Sequence, residues 1–303
     1  MTLRQSASNA SPLRPLLRSL LQKSIRRGYT DLSQKVATIL ASRGDSAWLH
    51  TRTGVIVFEE CWPCAHCLRR GLPSILTLGE IASAVKNKDA AGLGTLAHAA
   101  VEGDVTAIEL ALDPVAVKIV AAALKRPESF FKWATTECNS EDQIAVVLAA
   151  RHFFSKATWP WDKAFMAAGA YLSSQSKVPQ VSRSRETPPQ PFPYWTAVDK
   201  HTPQGRIALS KVAVTLGLSE RHLQWASFYF ESAQTQTMEP SPWWECETKW
   251  RFATYGLRLE VAEEMWAKAA PHVESAVHEQ SDLLFHLVGH ADANALLQID
   301  SLA

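Results

Sequence analysis

The sequence predicts an all-α protein, an antiparallel helical array, and three observations carry that expectation. Apolar residues recur at three- and four-residue spacing along nearly the whole chain. Gly, Pro and capping residues punctuate those runs at helix-length intervals. The alternation of β-branched residues that marks strands is nearly absent.

The elements follow in order. "LRPLLRSLLQKSIRRG" spaces Leu13, Leu16, Leu17, Leu20, Leu21 and Ile25 for one helix face and ends on Gly28, a natural C-cap. "DLSQKVATILASRG" repeats the design, with Asp31 as N-cap and Gly44 as the stop. "AWLHTRTGVIVFEECW" continues to Pro63. "LTLGEIASAVKNKD", "LGTLAHAAVEG", "PVAVKIVAAALKRP" and "ESFFKWATTECN" read as short helices joined by brief turns. "SEDQIAVVLAARHFFSKA" opens on Ser140 and Gln143, a capping box. In "SSQSKVPQVSRSRETPPQPFP", residues 173–193, Ser, Pro and Arg replace the apolar period, which predicts an exposed linker. Beyond it, Thr202-Pro203, Ser219 and Ser241-Pro242 each mark a helix start. "LEVAEEMWAKAAPHV" and "SDLLFHLVGHADANALL" complete the set. The expected organisation is an N-terminal helical domain over 1–172, the linker 173–193, and a Trp-rich helical domain over 194–303.

Composition narrows the class. The chain has 303 residues, 47% hydrophobic and 20% charged, enough for one large core or two modest ones. No apolar run reaches membrane-spanning length, so no membrane association is expected. The basic N-terminus lacks the continuous apolar core of a secretory signal. Five cysteines, an odd number, fit reduced thiols in a cytoplasmic protein. The net charge of +1 conceals an asymmetry: residues 1–70 hold 11 Lys or Arg against 4 acids. A one-sided basic field of that kind suits phosphate.

Catalytic motifs are missing. There is no G-x4-G-K-[ST] phosphate loop, no G-x-S-x-G elbow, no H-E-x-x-H helix and no dinucleotide fingerprint, so neither an enzyme nor a cofactor is expected. Cys61, Cys64 and Cys67 in "CWPCAHC" are candidate metal ligands, but a structural zinc site needs a fourth, and only Cys138 or Cys246 is on offer. On an α-helix, three-residue spacing also drifts off one face, so three thiols converge only if Pro63 breaks the helix. Packed thiols are the simpler reading. Glu279, Asp282, His286 and His290 form a spaced row that reads more simply as a polar helix face than as a cation site. Asp199 and His201 invite a general-base role, but Thr202 as N-cap accounts for part of that pattern.

The basic stretch is the strongest functional candidate: Arg18, Lys23, Arg26 and Arg27 on the first helix, Lys35 and Arg43 on the next. Arginine suits phosphate because its planar fork donates two bonds at once. Linker residues Arg183 and Arg185 add basic charge, and aromatic residues of the second half are candidates for stacking unpaired bases.

The run "LLRSLLQKSIRRGYTDLSQKVATILASRGDSAWLHTRTGVIVFEECWPCA" resembles the C-terminal helical, collar-like domain of the replication-associated recombination ATPases, the clamp-loader-like AAA+ type. Leu21, Lys23, Ser24, Ile25, Arg26, Arg27 and Gly28 carry the likeness. Ala41 to Gly44 follow as the short turn, and Glu59 and Glu60 stand at the family's acidic pair. The likeness covers residues 1–80 at most and does not include the family's ATPase module. It implies a non-enzymatic replication or recombination accessory protein, binding DNA through Arg18, Lys23, Arg26, Arg27, Lys35 and Arg43. An AAA+ ATPase, a polymerase subunit or further copies of the chain are the implied partners. The rival expectation is a protein–protein adaptor that touches no nucleic acid. Salt dependence separates the two, since phosphate binding weakens steeply as salt rises.

Overall fold

The computed structural model describes residues 13–70, 74–183, 200–235 and 238–278. Among them the fold is all-α, with no strand or sheet and three isolated backbone bridges. The first helix, α1 (Leu13–Arg26), buries Leu17, Leu20, Leu21 and Ile25, the face its spacing predicted. Gly28 ends it at φ 83, where the Tyr29 amide bonds the Ser24 carbonyl and the Gly28 amide that of Ile25. That pair of bonds is a Schellman closure, and glycine reaches its left-handed conformation without a Cβ penalty.

Helix α2 (Thr30–Leu40) starts one residue before Asp31, which lies in the first turn and is not the N-cap. A widened turn (Ala41–Asp45) with Gly44 at φ 82 leads directly into α3 (Ser46–Glu60), so Gly44 kinks the path and does not end it. The α-helix stops at Glu60, and Trp62–Arg70 winds on as a tighter 3₁₀ helix. α4 (Ser74–Ser83) gives way to an extended stretch before α5 (Asp89–Val101), a central helix with ten of its residues buried. Gly92 is obligatory there: a Cβ on it would stand 2.3 Å from the Trp243 backbone.

The short α6 (Thr106–Glu109) is followed by α7 (Pro114–Lys125), capped by Asp113 onto the Val115 amide, and α8 (Pro127–Glu137). At α9 (Glu141–Lys156) the Ser140 hydroxyl caps the Gln143 amide, as expected. The Gln143 side chain accepts from the Asn139 amide and donates to the Ser173 and Ser176 carbonyls, tying this cap to α10 (Pro160–Gln175). α10 therefore runs into the first positions of the expected linker, with Ser173 and Ser174 buried. The chain then stays packed: Val178 is buried and the Ser182 carbonyl accepts from the Val85 amide.

α11 (Pro203–Leu216) starts on Thr202, whose hydroxyl accepts from the Gly205 amide, and α12 (Glu220–Ser227) on Ser219. α13 (Pro242–Ala253) lacks the expected Ser241 cap; that hydroxyl instead accepts from the Lys88 amide and donates to the Glu239 carbonyl. α14 (Leu259–His278) closes the described chain. Trp243 and Trp250 of α13 belong to the large core built from α1–α5 and α7–α10. α11, α12 and α14 share a smaller core around Leu209, Leu223, Trp266 and Val273. The row Glu279, Asp282, His286 and His290, with the helix expected there, and Asp199 and Arg185 lie outside the described residues. No helix among the described residues is long and apolar enough to cross a membrane.

Candidate functional site

The basic helix ends on Arg26-Arg27 and α3 ends on Glu59-Glu60, and these two termini meet inside the protein. Arg26 Nε donates to Glu60 Oε1 at 2.6 Å, Nη2 to Glu59 Oε1 at 3.1 Å, and Nη1 to the Ser232 carbonyl at 2.6 Å. Glu60 is wholly buried and Arg26 is 5% exposed. Lys88 Nζ stands 3.4 Å from Glu60 Oε2, donates to the Ala233 carbonyl at 2.8 Å and lies over the Trp244 ring. Glu59 receives Gln22 and Arg52 as well, and Arg52 reaches Asp162 on α10. Five segments of chain are thus joined by one ionic network.

Burial alone would push the Glu60 carboxyl up, but Arg26 and Lys88 outweigh it and hold it below its ordinary value of 4.5. Burial pushes Lys88 down to about 8, against the pull of Glu60. Removing one partner from such a cluster strands an uncompensated charge in low dielectric, which costs about 3–5 kcal/mol.

The sequence-predicted phosphate contacts divide sharply against this geometry. Arg26 is inside, bound on all three guanidinium nitrogens, so it offers no fork to a phosphate. Lys23 is 2% exposed. Arg27 is mostly buried and donates to the Glu231 carboxylate at 2.7 Å. Arg18 binds Asp45 through Nε and Nη2, both at 2.9 Å, and stacks over Trp48. Lys35 faces solvent on α2, and Arg43 is half-buried beside Arg14, which donates to its carbonyl. A DNA surface made of all six is corrected on physical grounds: two of them are buried and two are mostly engaged with carboxylates of the same chain. Linker residue Arg183 pairs with Glu80 at 2.6 Å.

Sequence reasoning missed the other half of the network. "VKNKD" ends a run expected to be helical, yet residues 84–88 leave the helix and Lys86 and Lys88 are each 1% exposed. Lys86 Nζ donates to the carbonyls of Ile81, Ala82 and Ala84, closing the end of α4. A second buried ionic group lies between α13 and the widened turn Phe228–Ser232 that follows α12. Tyr229 donates to Glu247, Arg251 pairs with Glu247 at 3.6 Å, and the Arg251 guanidinium lies 4.3 Å from the centres of the Trp225 and Trp250 rings. The Trp-rich half is therefore packed around its own cations. Trp243, Trp250 and Trp266 are buried, and Trp159 is the tryptophan most exposed among the described residues.

The cysteines are all free thiols. Cys61 and Cys64 are buried with sulfurs 3.5 Å apart, and Cys67 is half-buried with its sulfur 3.4 Å from His66 Nε2. No cluster of three or more His, Cys, Asp or Glu side chains suited to a metal ion occurs among the described residues. No protein-family model, curated protein or solved structure matches the chain.

Proposed function

We propose that this protein is a non-enzymatic, collar-like helical scaffold that serves DNA replication or recombination through protein contacts. The observation that supports this most is the bonding of Arg26 to Glu59 and Glu60. The two segments that resemble the collar domain of clamp-loader-like ATPases meet in one buried network, so their charged residues hold the fold together. A scaffold needs a docking surface. The stretch from Val105 to Val115 exposes Val105, Leu110, Leu112 and Val115, with Glu102 and Glu109 exposed beside them. Apolar side chains with an acidic surround suit a basic, amphipathic partner segment. The partner proposed is an AAA+ ATPase or a polymerase subunit.

A second reading keeps direct DNA contact, and the outward position of Lys35 favours it. It would rest on Lys35 and Arg43 with Arg14, a smaller footprint than six cations.

Fluorescence anisotropy with single-stranded, duplex and forked DNA over a salt series tests the choice. The scaffold reading expects weak binding with a shallow salt slope, of about two or three phosphate contacts at most. It also expects a stoichiometric complex with the clamp-loader-like ATPase or a polymerase subunit of the same genome, lost in Val105→Asp/Leu112→Asp. Tight binding with a steep salt slope, lost in Lys35→Ala/Arg43→Ala, would sink it and establish the second reading.

A further inference from the structure

The three cysteines that fail as a metal site are arranged for another chemistry. An α-helix turns residues three apart off one line, but a 3₁₀ helix has three residues per turn and eclipses them. The chain leaves α-helical geometry at Cys61, whose backbone sits at φ −161, ψ 74, and winds through Trp62–Arg70 as a 3₁₀ helix. The Cys64 amide bonds the Cys61 carbonyl at 2.9 Å, the three-residue step itself. Cys64 and Cys67 are therefore one 3₁₀ turn apart, Cys61 just before the helix brings its sulfur 3.5 Å from that of Cys64, and burial falls from Cys61 and Cys64 to the half-buried Cys67. Cys64 donates its S–H to the Cys61 sulfur at 3.5 Å, and Cys61 donates to the Val85 carbonyl at 3.4 Å.

Cys67 has its own proton acceptor. The Pro63 carbonyl lies 2.7 Å from His66 Nδ1, which places the ring proton on that nitrogen and leaves the Nε2 lone pair facing the Cys67 sulfur at 3.4 Å. The electrostatics run the same way. The Cys64 hydrogen bond, with help from the charge of Lys86, holds the Cys61 thiol below its ordinary value, and the same bond and burial push Cys64 well above it.

We propose that Cys61 and Cys64 form a reversible dithiol–disulfide couple, oxidised by low-molecular-weight disulfides through Cys67 as the outer thiol. The chemistry balances. His66 Nε2 takes the Cys67 proton, and the Cys67 thiolate attacks one sulfur of the small disulfide. A Cys67 mixed disulfide forms, and the departing thiolate takes that proton. The Cys64 sulfur then attacks the Cys67 sulfur, and its proton leaves with the second small thiolate as a thiol. Finally the Cys61 sulfur attacks the Cys64 sulfur, and its proton passes to the Cys67 thiolate that is released. The chain loses two electrons and two protons, and one small disulfide becomes two thiols. The bond draws the two sulfurs from 3.5 Å to about 2.05 Å at the residue next to Glu60, so oxidation acts on the joint where the ionic network is anchored.

The test uses the full chain. Wild-type protein is incubated with glutathione disulfide, its remaining thiols are alkylated, and the tryptic peptide Thr53–Arg69, which contains all three cysteines, is fragmented in a mass spectrometer. The proposal expects a peptide with a single alkyl group, on Cys67, two hydrogens lighter than the same singly alkylated peptide with free Cys61 and Cys64, and reverting to that dithiol form with dithiothreitol. Three alkylated cysteines, or glutathione persisting on Cys67, would overturn it. In Cys67→Ser the same disulfide should form about tenfold more slowly or worse, because the buried pair has lost its outer thiol. An unchanged rate would remove Cys67 from the scheme.

Discussion

Glu60 and Glu247 are both almost completely removed from water, yet their surroundings drive them in opposite directions. Glu60 has Arg26 and Lys88 against its carboxylate and Lys86 nearby, and it is held below the ordinary carboxylate range. Glu247 has Arg251 as its nearest cation, 3.6 Å away with its charge shared with the faces of Trp225 and Trp250, while Lys88 and Lys200 act from further off, and burial leaves its carboxyl raised. Burial alone therefore does not decide the protonation of an internal acid; how closely its cations approach and hydrogen-bond it does, and Arg26 meets Glu60 at 2.6 Å. It also assigns Arg26, in the basic N-terminal third of the chain, a structural task, that of holding the Glu60 charge inside the fold.

Four substitutions test this contrast. The largest effect is expected from Arg26→Met, which leaves Lys88 as the ion-pair partner of the buried Glu60: a loss of about 3–5 kcal/mol by urea unfolding. Next comes Lys88→Met, read as a change of pH dependence. The folded-state value of about 8 lies below the ordinary 10.5, so between those limits the unfolded chain binds more protons and stability rises with pH. Lys88→Met should flatten that rise; a rise of unchanged slope would show that Lys88 is not its source.

The smallest effect is expected from Glu247→Gln, below the ~3–5 kcal/mol of Arg26→Met, because the amide still accepts from Tyr229, the charge it removes was disfavoured by burial, and the Arg251 guanidinium left behind keeps the faces of Trp225 and Trp250. The two acids also part on acidification. Glu60, depressed, adds stability above pH 4.5 that is lost as pH falls below it. Glu247, raised, destabilises the neutral-pH fold, and that penalty is relieved as pH falls through its folded value towards 4.5. Glu60→Gln should therefore remove an acid-labile contribution, and Glu247→Gln should not.

Much of the fold was legible because local chemistry decided it. Gly28 closes α1, Ser140 and Gln143 open α9, and Thr202 opens α11, each through bonds spanning a few residues. The misreadings arose where distant chain intervened. Ser241 looks like an N-cap but is taken by the Lys88 amide, 153 residues away in sequence. Lys86 and Lys88 stand at the end of a run expected to be helical, and nothing nearby in sequence announces the carbonyls and the glutamate that bury them. Arg26 and Arg27 read as a phosphate-binding pair because their acidic partners lie 34 and 204 residues further along. The one available signal was the acidic pair Glu59-Glu60 on an otherwise apolar segment, a charge that asks for an internal partner. The cysteines read as packed thiols, and Cys61 and Cys64 are buried, but the α-helical period expected for their spacing gives way to a 3₁₀ helix at Trp62–Arg70.

The central claim is that the Arg26 charge belongs to Glu60 and not to a phosphate, and a double-mutant cycle measures it directly. Arg26→Met, Glu60→Met and the double variant would be compared by urea unfolding, with DNA anisotropy on the same samples. The account predicts strongly non-additive stabilities, with a coupling of about 2 kcal/mol or more and little change in DNA affinity. Additive stabilities, with DNA affinity lost in Arg26→Met alone, would contradict it.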